Sequence, residues 1–346
     1  MSNIWMAGVG TGSAAGAAAA TSTSASGWVT PGVGTAAGSA SATAISSTLV
    51  FGSQTVTLPS SSDWFAVAPP TGGYFGLTSL TAGNNKGAYS SDGIDWVATT
   101  KSQNGNWGLI CDSYTGQFIS KNTNGNAVQV GGAAGGWTGW TTSTSNTWSA
   151  MVRCGNNNVL IPTSGLCEVS TNGGTLWAAT GNKGTFSLTS AAAYGNIIVC
   201  AGNATGTCIV ATDGTGTTWN TYSLPNSSAW VIGEGDTTAP FCIVEYGGTG
   251  SAISSNGQIW TTGTLPSSGN WVGVTKLSNC WLAIQENSTA CATSTDGLNW
   301  TARTLVASVA AGLGQGRISQ IRGADTVAVI ANRTGTAIRV NTNTLI

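Results

Sequence analysis

Ser90-Ser91-Asp92-Gly93-Ile94-Asp95-Trp96 is the stretch whose reading decides the fold. Its pattern, Ser-x-Asp-Gly-x-x-Trp, returns almost intact as Ser294-Thr295-Asp296-Gly297-Leu298-Asn299-Trp300. Looser copies are Ser254-Ser255-Asn256-Gly257-Gln258-Ile259-Trp260, Ser170-Thr171-Asn172-Gly173-Gly174-Thr175-Leu176-Trp177 and Ala211-Thr212-Asp213-Gly214-Thr215-Gly216-Thr217-Thr218-Trp219. A worn copy lies at Gly135-Gly136-Trp137-Thr138-Gly139-Trp140. In each intact copy the Asp or Asn oxygen can accept from backbone N–H groups just downstream, and the Gly tolerates the positive φ that closes a tight turn. The pattern therefore predicts a hairpin turn with a Trp folded back beneath it, a structural staple in preference to a ligand contact.

Working outward, a second marker recurs with a period of roughly 40 residues, the range of propeller blades. It is an aromatic residue that opens a strand after a short polar loop: Trp64, Trp107, Trp148, Phe186, Trp230 and Trp271. Leu-Pro pairs at Leu58-Pro59, Leu224-Pro225 and Leu265-Pro266 close the strands before several of these openers. Each unit reads as four short strands: a from the opener, b as in Ile197 to Ala201, c into the turn, and d from the turn Trp. The carboxyl end supplies a further unit, Gly316 to Arg322, Thr326 to Ala331 and Thr336 to Asn343, which lacks a strand d. Ser53 to Pro59 matches that missing strand, so residues near 50 to 58 should pair with residues near 336 to 344. The expected fold class is all-β: a β-propeller over 49–346 of seven four-stranded blades, closed by an N-terminal strand that completes the last one. Six and eight blades remain open alternatives, because the second unit's turn is poor. Closure would remove the sheet edges an open array exposes.

Residues 1–48 are low complexity, mostly Gly, Ala, Ser and Thr, with Trp5, Met6 and Trp28 as candidate anchors. Such a segment buries too little to order itself alone. It reads as an arm that docks on a larger assembly or as a loose tail. No secretory signal is expected, since no Lys or Arg lies near Met1 and the Ala14 to Ala20 run is broken by Gly. No apolar run reaches the roughly 20 residues that would span a bilayer as a helix.

Composition narrows function further. Of 346 residues only 7% are charged, no His is present and the net charge is −1, so binding of nucleic acid through a basic field is not expected. Eight Cys in a chain of this length are not a disulfide framework. Cys154 and Cys167, Cys200 and Cys208, and Cys280 and Cys291 fall on neighbouring expected strands. They could bridge, but buried free thiols are the simpler reading. With no His and no Cys-x-x-Cys, no metal site and no cofactor are called for.

On its turns, the chain from 49 to 346 resembles the Asp-box (BNR repeat) β-propellers, a superfamily that includes sialidases, sortilin-type receptors, photosystem assembly factors and phage tail and fibre proteins. The resemblance implies fold far more than activity. The Ala/Gly/Ser arm, low charge and degenerate boxes look most like a phage virion protein. That implies a structural component of a capsid, head fibre or tail, located on the virion, multimeric within it, and attached to other virion proteins through residues 1–48. Sialidases of the superfamily use an Arg triad, a Tyr/Glu pair and an Asp acid on the face away from the boxes. Here that face offers Arg317 and Arg333 as cations, with Glu245-Tyr246 and Glu286 beside them. Adjacent strand residues point to opposite sides, and Arg317-Ile318-Ser319 only approaches the expected Arg-Ile-Pro, so an enzyme is not expected. Glu234-Gly235-Asp236 reads as a solvated acidic turn, with Ca²⁺ binding the lesser alternative.

The openers carry a second functional reading. Trp64, Trp107, Trp148, Trp230 and Trp271 pack between blades or, alternatively, offer stacking platforms to host surface glycans, with Asn106, Asn146 and Asn270 beside them to bond hydroxyls.

Overall fold

A computed structural model describes residues 51–342 except 72, 82, 133–135, 311–320, 325 and 334. The expected arm, Arg317 and the start of the worn turn at Gly135 lie outside the described residues. Every strand or helix found among the described residues is a strand: twenty-five of them, in five sheets.

The repeating unit is clearest in the sheet that runs Leu188–Tyr194, Ile197–Gly202, Thr207–Ala211 and Asn220–Ser223, each strand antiparallel to the one before. Ile198, Val199, Cys200 and Ala201 are all buried, whereas Asn220, Thr221 and Ser223 are exposed. An unbroken apolar run suits a strand covered on both faces, and a Thr/Asn/Ser strand suits a rim wetted by solvent. Trp64–Thr71, Tyr74–Ser79, Asn84–Ser90 and Val97–Gly105 repeat the same order.

Two long strands each serve two such units. Thr138–Cys154 pairs through 138–147 with Asn124–Gly131 and through 148–154 with Asn157–Pro162. Thr261–Lys276 likewise pairs with Phe241–Ser254 up to Asn270, then with Trp281–Gln285 from Trp271 onward. The innermost strands touch in a closed circuit. Trp64–Thr71 meets Leu109–Asp112, followed by Thr138–Cys154, Leu188–Tyr194, Ala229–Glu234, Thr261–Lys276 and Ile321–Ala324, which returns to Trp64–Thr71. The arrangement is a propeller. Its seam is the pairing the sequence predicts: Gly52–Thr57 lies antiparallel to Thr336–Asn341, from Gly52 opposite Asn341 to Thr57 opposite Thr336. Leu58 N–H extends that ladder by donating to the Gly335 carbonyl at 2.8 Å.

The core lies between sheets. Trp230 and Ile243 of one sheet pack with Val199, Cys208 and Leu224 of its neighbour, and Trp148 and Leu160 pack with Ile119 and Val128. Trp64, Trp107, Trp148, Trp230 and Trp271 are between 0 and 2% exposed. Each also donates its indole N–H to a backbone carbonyl, of Ser60, Asn84, Gly125, Asn226 and Ser267 respectively, at 2.9 to 3.4 Å. A buried indole so paired at its polar end is a packing element, and its removal costs on the order of 3–5 kcal/mol. This corrects the glycan-stacking expectation for these five residues: their ring faces are covered by neighbouring strands and unavailable to a sugar.

The quoted turns behave as their chemistry predicts. Asp92 Oδ1 accepts from Ile94 N and Asp95 N at 2.8 and 3.0 Å, Ser90 Oγ accepts from Gly93 N at 2.8 Å, and Gly93 sits at φ 75°. Trp96 Nε1 folds back to the Gly93 carbonyl at 3.2 Å. Asp296 and Asn256 repeat the pattern, with Gly297 and Gly257 at φ 75° and 73°. In the stretched copies, Asn172 bonds Leu176 N and Asp213 takes four backbone N–H groups from Thr215 to Thr218. Gly214 has φ 72°, and Trp177 Nε1 reaches the Gly174 carbonyl at 2.8 Å.

The eight cysteines are free and buried. Cys167, Cys208, Ser251 and Cys291 occupy one repeated position, three residues before the start of a turn. Ser251 shows what that position does: its hydroxyl donates to the Gly297 carbonyl at 3.3 Å and accepts from Trp300 Nε1 at 3.0 Å. Cys208 Sγ likewise donates to the Gly257 carbonyl at 3.4 Å, while the buried indole N–H groups of Trp219 and Trp260 have no hydrogen-bond partner among the described residues. The position is a latch between neighbouring units, filled by a thiol or a hydroxyl.

Candidate functional site: the charged mouth of the ring

A cleft of about 570 Å³ opens where five consecutive innermost strands end. Successive strands bring Asp112, Arg153, Tyr194, Glu234 and Lys276 to it, with Asp236 on the turn that follows Glu234. In a four-stranded antiparallel unit the a-to-b and c-to-d turns share an end, so this mouth lies on the face of the Trp-ended turns. Asn157 Nδ2, on one of the a-to-b turns, donates to the Gly214 carbonyl of such a turn at 3.0 Å.

Two ion pairs flank the cleft. Arg153 Nη1 meets Asp112 Oδ2 at 2.6 Å while its Nε donates to the Gly155 carbonyl at 3.1 Å, so the guanidinium is fixed at two points. Lys276 Nζ lies 3.4 Å from Asp236 Oδ2 and 5.5 Å from the centre of the Trp281 ring. Partial burial pushes the Asp236 carboxyl up. The N–H groups of Ala239 and Thr238, at 3.1 and 2.9 Å, and the Lys276 ammonium more than reverse this and hold it below the usual carboxylate range. Tyr194 is half-buried at the cleft and no described residue bonds its hydroxyl. The turn at Glu234-Gly235-Asp236 is thus an acidic rim, as read from sequence, with Asp236 paired to a lysine two strands away in the chain. Among the described residues no group of three or more Cys, Asp or Glu is placed to hold a metal ion.

The opposite face carries the other named candidates. Glu245 accepts from Gly250 N and Asn226 Nδ2 at 2.7 and 3.0 Å and from Ser228 Oγ. These bonds override the upward push of burial and keep its carboxyl below the usual range. Tyr246 Oη donates to Glu286 Oε1 at 2.8 Å, which together with burial raises the phenol above its ordinary value. Arg333 is bound to Asp63 through Nε–Oδ1 at 2.7 Å, which leaves that cation occupied. Asn270 Nδ2 also reaches Glu286 Oε1, at 3.4 Å, and Asn146 Nδ2 reaches the Ser164 carbonyl at 3.3 Å. Asn106 Oδ1 is buried without a partner among the described residues. The structure therefore joins Tyr246 to Glu286 and holds its chain neighbour Glu245 on Gly250, Asn226 and Ser228, in keeping with the expectation that Glu245 and Tyr246 point to opposite sides. The mouth itself was missed: only its Glu234–Asp236 rim was noticed, since nothing local marks five strand ends as neighbours.

No family model matches the sequence, and no curated protein sequence matches it. Solved structures do. Virginiamycin B lyase from Staphylococcus aureus aligns with a TM-score of 0.70 at 10% identity, covering 84% of this chain and 99% of that one. The same lyase with a histidine replaced by alanine, catalytically inactive and holding quinupristin, aligns at 0.66 with 11% identity, covering 84% and 99%. YCF48 from Cyanidioschyzon merolae aligns at 0.62 with 14% identity, covering 85% and 100%. At such identities the likeness shows a shared β-propeller fold and nothing of activity.

Proposed function

We propose that this protein is a non-catalytic display module, a structural virion component of the Asp-box type. In this reading residues 1–48 attach it to the particle, and a propeller of seven four-stranded blades faces outward. The closed circuit of inner strands supports the blade count, and the Asp- and Asn-centred turns support the Asp-box kinship. The observation that carries the non-catalytic reading is that the turn carboxylates and Glu168 are committed to holding backbone and the thiols are buried. Asp92, Asp213 and Asp296 serve turn N–H groups. Buried Glu168 takes Ser143 N and Thr144 N at 2.9 and 2.7 Å. Burial pushes the Cys154 and Cys291 thiols up to about 12. The lyase that shares the fold is inactive once one histidine is replaced, and this chain has no His. Immunogold labelling of purified particles tests the reading. Full-length protein decorates them, a 49–346 chain that still folds does not, and decoration by the truncated chain refutes the arm.

A second reading, recognition of saccharide by the displayed propeller, is favoured by the polar cleft at the mouth. Ion-paired and aromatic side chains converge there around a volume suited to a small ligand.

A further inference from the structure

We propose that the mouth is a binding site for a neutral saccharide, with a pyranose face on Tyr194 and vicinal hydroxyls read by the Asp112–Arg153 and Asp236–Lys276 pairs. The proposal rests on the second reading above and moves the contact from the strand-opening indoles to the other end of the ring.

Charge selects the class of ligand. Each cation of the cleft already holds a carboxylate, Arg153 on Asp112 and Lys276 on Asp236. Glu234 also lines the cleft, so three carboxylates face two cations, and the resulting negative charge repels a phosphate or carboxylate ligand even where N–H groups are spare. A neutral polyol meets no such repulsion.

Hydrogen-bonding capacity points the same way. A guanidinium has five N–H groups, and only two directions of Arg153 are used, toward Asp112 and Gly155. An ammonium has three, and Lys276 has one carboxylate partner. The paired carboxylates keep lone pairs to spare, and the Tyr194 hydroxyl has no partner among the described residues. Donors and acceptors therefore stand side by side at two places across the cleft. A vicinal diol can donate to a carboxylate oxygen with one hydroxyl and accept from the neighbouring N–H with the other, without disturbing the ion pair. The groups are also held in advance: Asp236 by Thr238 N and Ala239 N, and Arg153 by its two acceptors, which limits the ordering cost of binding. Gly195 turns at φ 57° and leaves open space where a side chain would stand, which keeps the cleft clear beside Tyr194.

The experiment is a glycan array carrying neutral, sialylated and sulfated saccharides probed with the full chain, followed by calorimetric titration of the best neutral hit at low and high salt. The expected result is binding of a neutral saccharide whose affinity does not change with salt, because no net charge is exchanged. Tyr194→Ala and Asp112→Asn each weaken it about tenfold or more. Tyr194→Phe, which keeps the ring, loses less than Tyr194→Ala, and Tyr114→Ala, on a neighbouring turn, leaves it unchanged. Thermal melting of each variant checks its fold. If Tyr194→Ala does not fold, Asp112→Asn and Lys276→Met decide the matter. Saccharide binding that survives all the mouth variants overturns this site while leaving saccharide recognition intact. No binding on the array overturns both, and binding confined to sialylated or sulfated saccharides overturns the neutral-ligand assignment.

Discussion

The latch between units yields a prediction whose size follows from its geometry. Cys208 is fully buried and its Sγ donates to the Gly257 carbonyl at 3.4 Å. Ser251 makes the equivalent bond with a hydroxyl in the next unit, donating to the Gly297 carbonyl at 3.3 Å and accepting from Trp300 Nε1 at 3.0 Å as well. Replacing Cys208 by Ser therefore exchanges a weak donor for a stronger one at nearly constant volume, and stability should stay within about 1 kcal/mol. Cys208→Val keeps the apolar bulk but leaves the Gly257 carbonyl facing a methyl group. An unsatisfied buried group costs about 1–3 kcal/mol, and the variant should lose that much. Equilibrium urea unfolding, followed by tryptophan fluorescence and checked for two-state behaviour, reads both. If Cys208→Val matches the parent, or Cys208→Ser falls as far as Val, the latch is merely space filling.

Three further outcomes are expected. Burial lowers Lys101 to about 7, and burial, partly offset by the Glu168 carboxylate, does the same to Lys121. The unfolded chain therefore binds more protons than the folded one above pH 7, and stability should climb from pH 7 to 8 by up to about 1.4 kcal/mol per lysine. The window stops there because ionisation of unfolded thiols acts the other way; a urea midpoint that falls across it refutes the assignment. Asp296→Ala removes the acceptor for Leu298 N, Asn299 N and Asn299 Nδ2, each at 2.8 Å, and should cost about 1–2 kcal/mol, with Asp296→Asn losing less; equal loss in both variants counts against the turn as the cause. Deleting residues 1–58 uncovers the edge of Thr336–Asn341 and should produce oligomers on size exclusion, while a 49–346 chain stays monomeric.

Much of the fold could be read from the chain because its signals are local. The Asp92 and Asp296 turns declare themselves through residue types two to six positions apart, and the seam at Ser53 to Leu58 followed from matching one missing strand to one surplus strand. The mouth could not be read, because Asp112, Arg153, Tyr194, Asp236 and Lys276 come together only once five units are stacked. The openers were legible as strand starts but not as to exposure. Trp230 and Trp271 carry the same local signal whether a neighbouring strand covers their faces or solvent does, and only the packing of adjacent sheets decides that. The repeated Cys/Ser position was illegible for a related reason: the carbonyls that Cys208 and Ser251 bond belong to the next unit.

The pairing of Gly52–Thr57 with Thr336–Asn341 has a consequence for biosynthesis. Intervening units can form as they leave the ribosome, because each is a run of consecutive hairpins, but the first strand must wait until translation has delivered its mate. During that interval both ends of the growing arc are adhesive, and two nascent chains on one message could exchange strands. Seam closure within one chain is independent of concentration and exchange between chains is not, so this long-range pairing makes dilute synthesis the condition that favours the closed monomer.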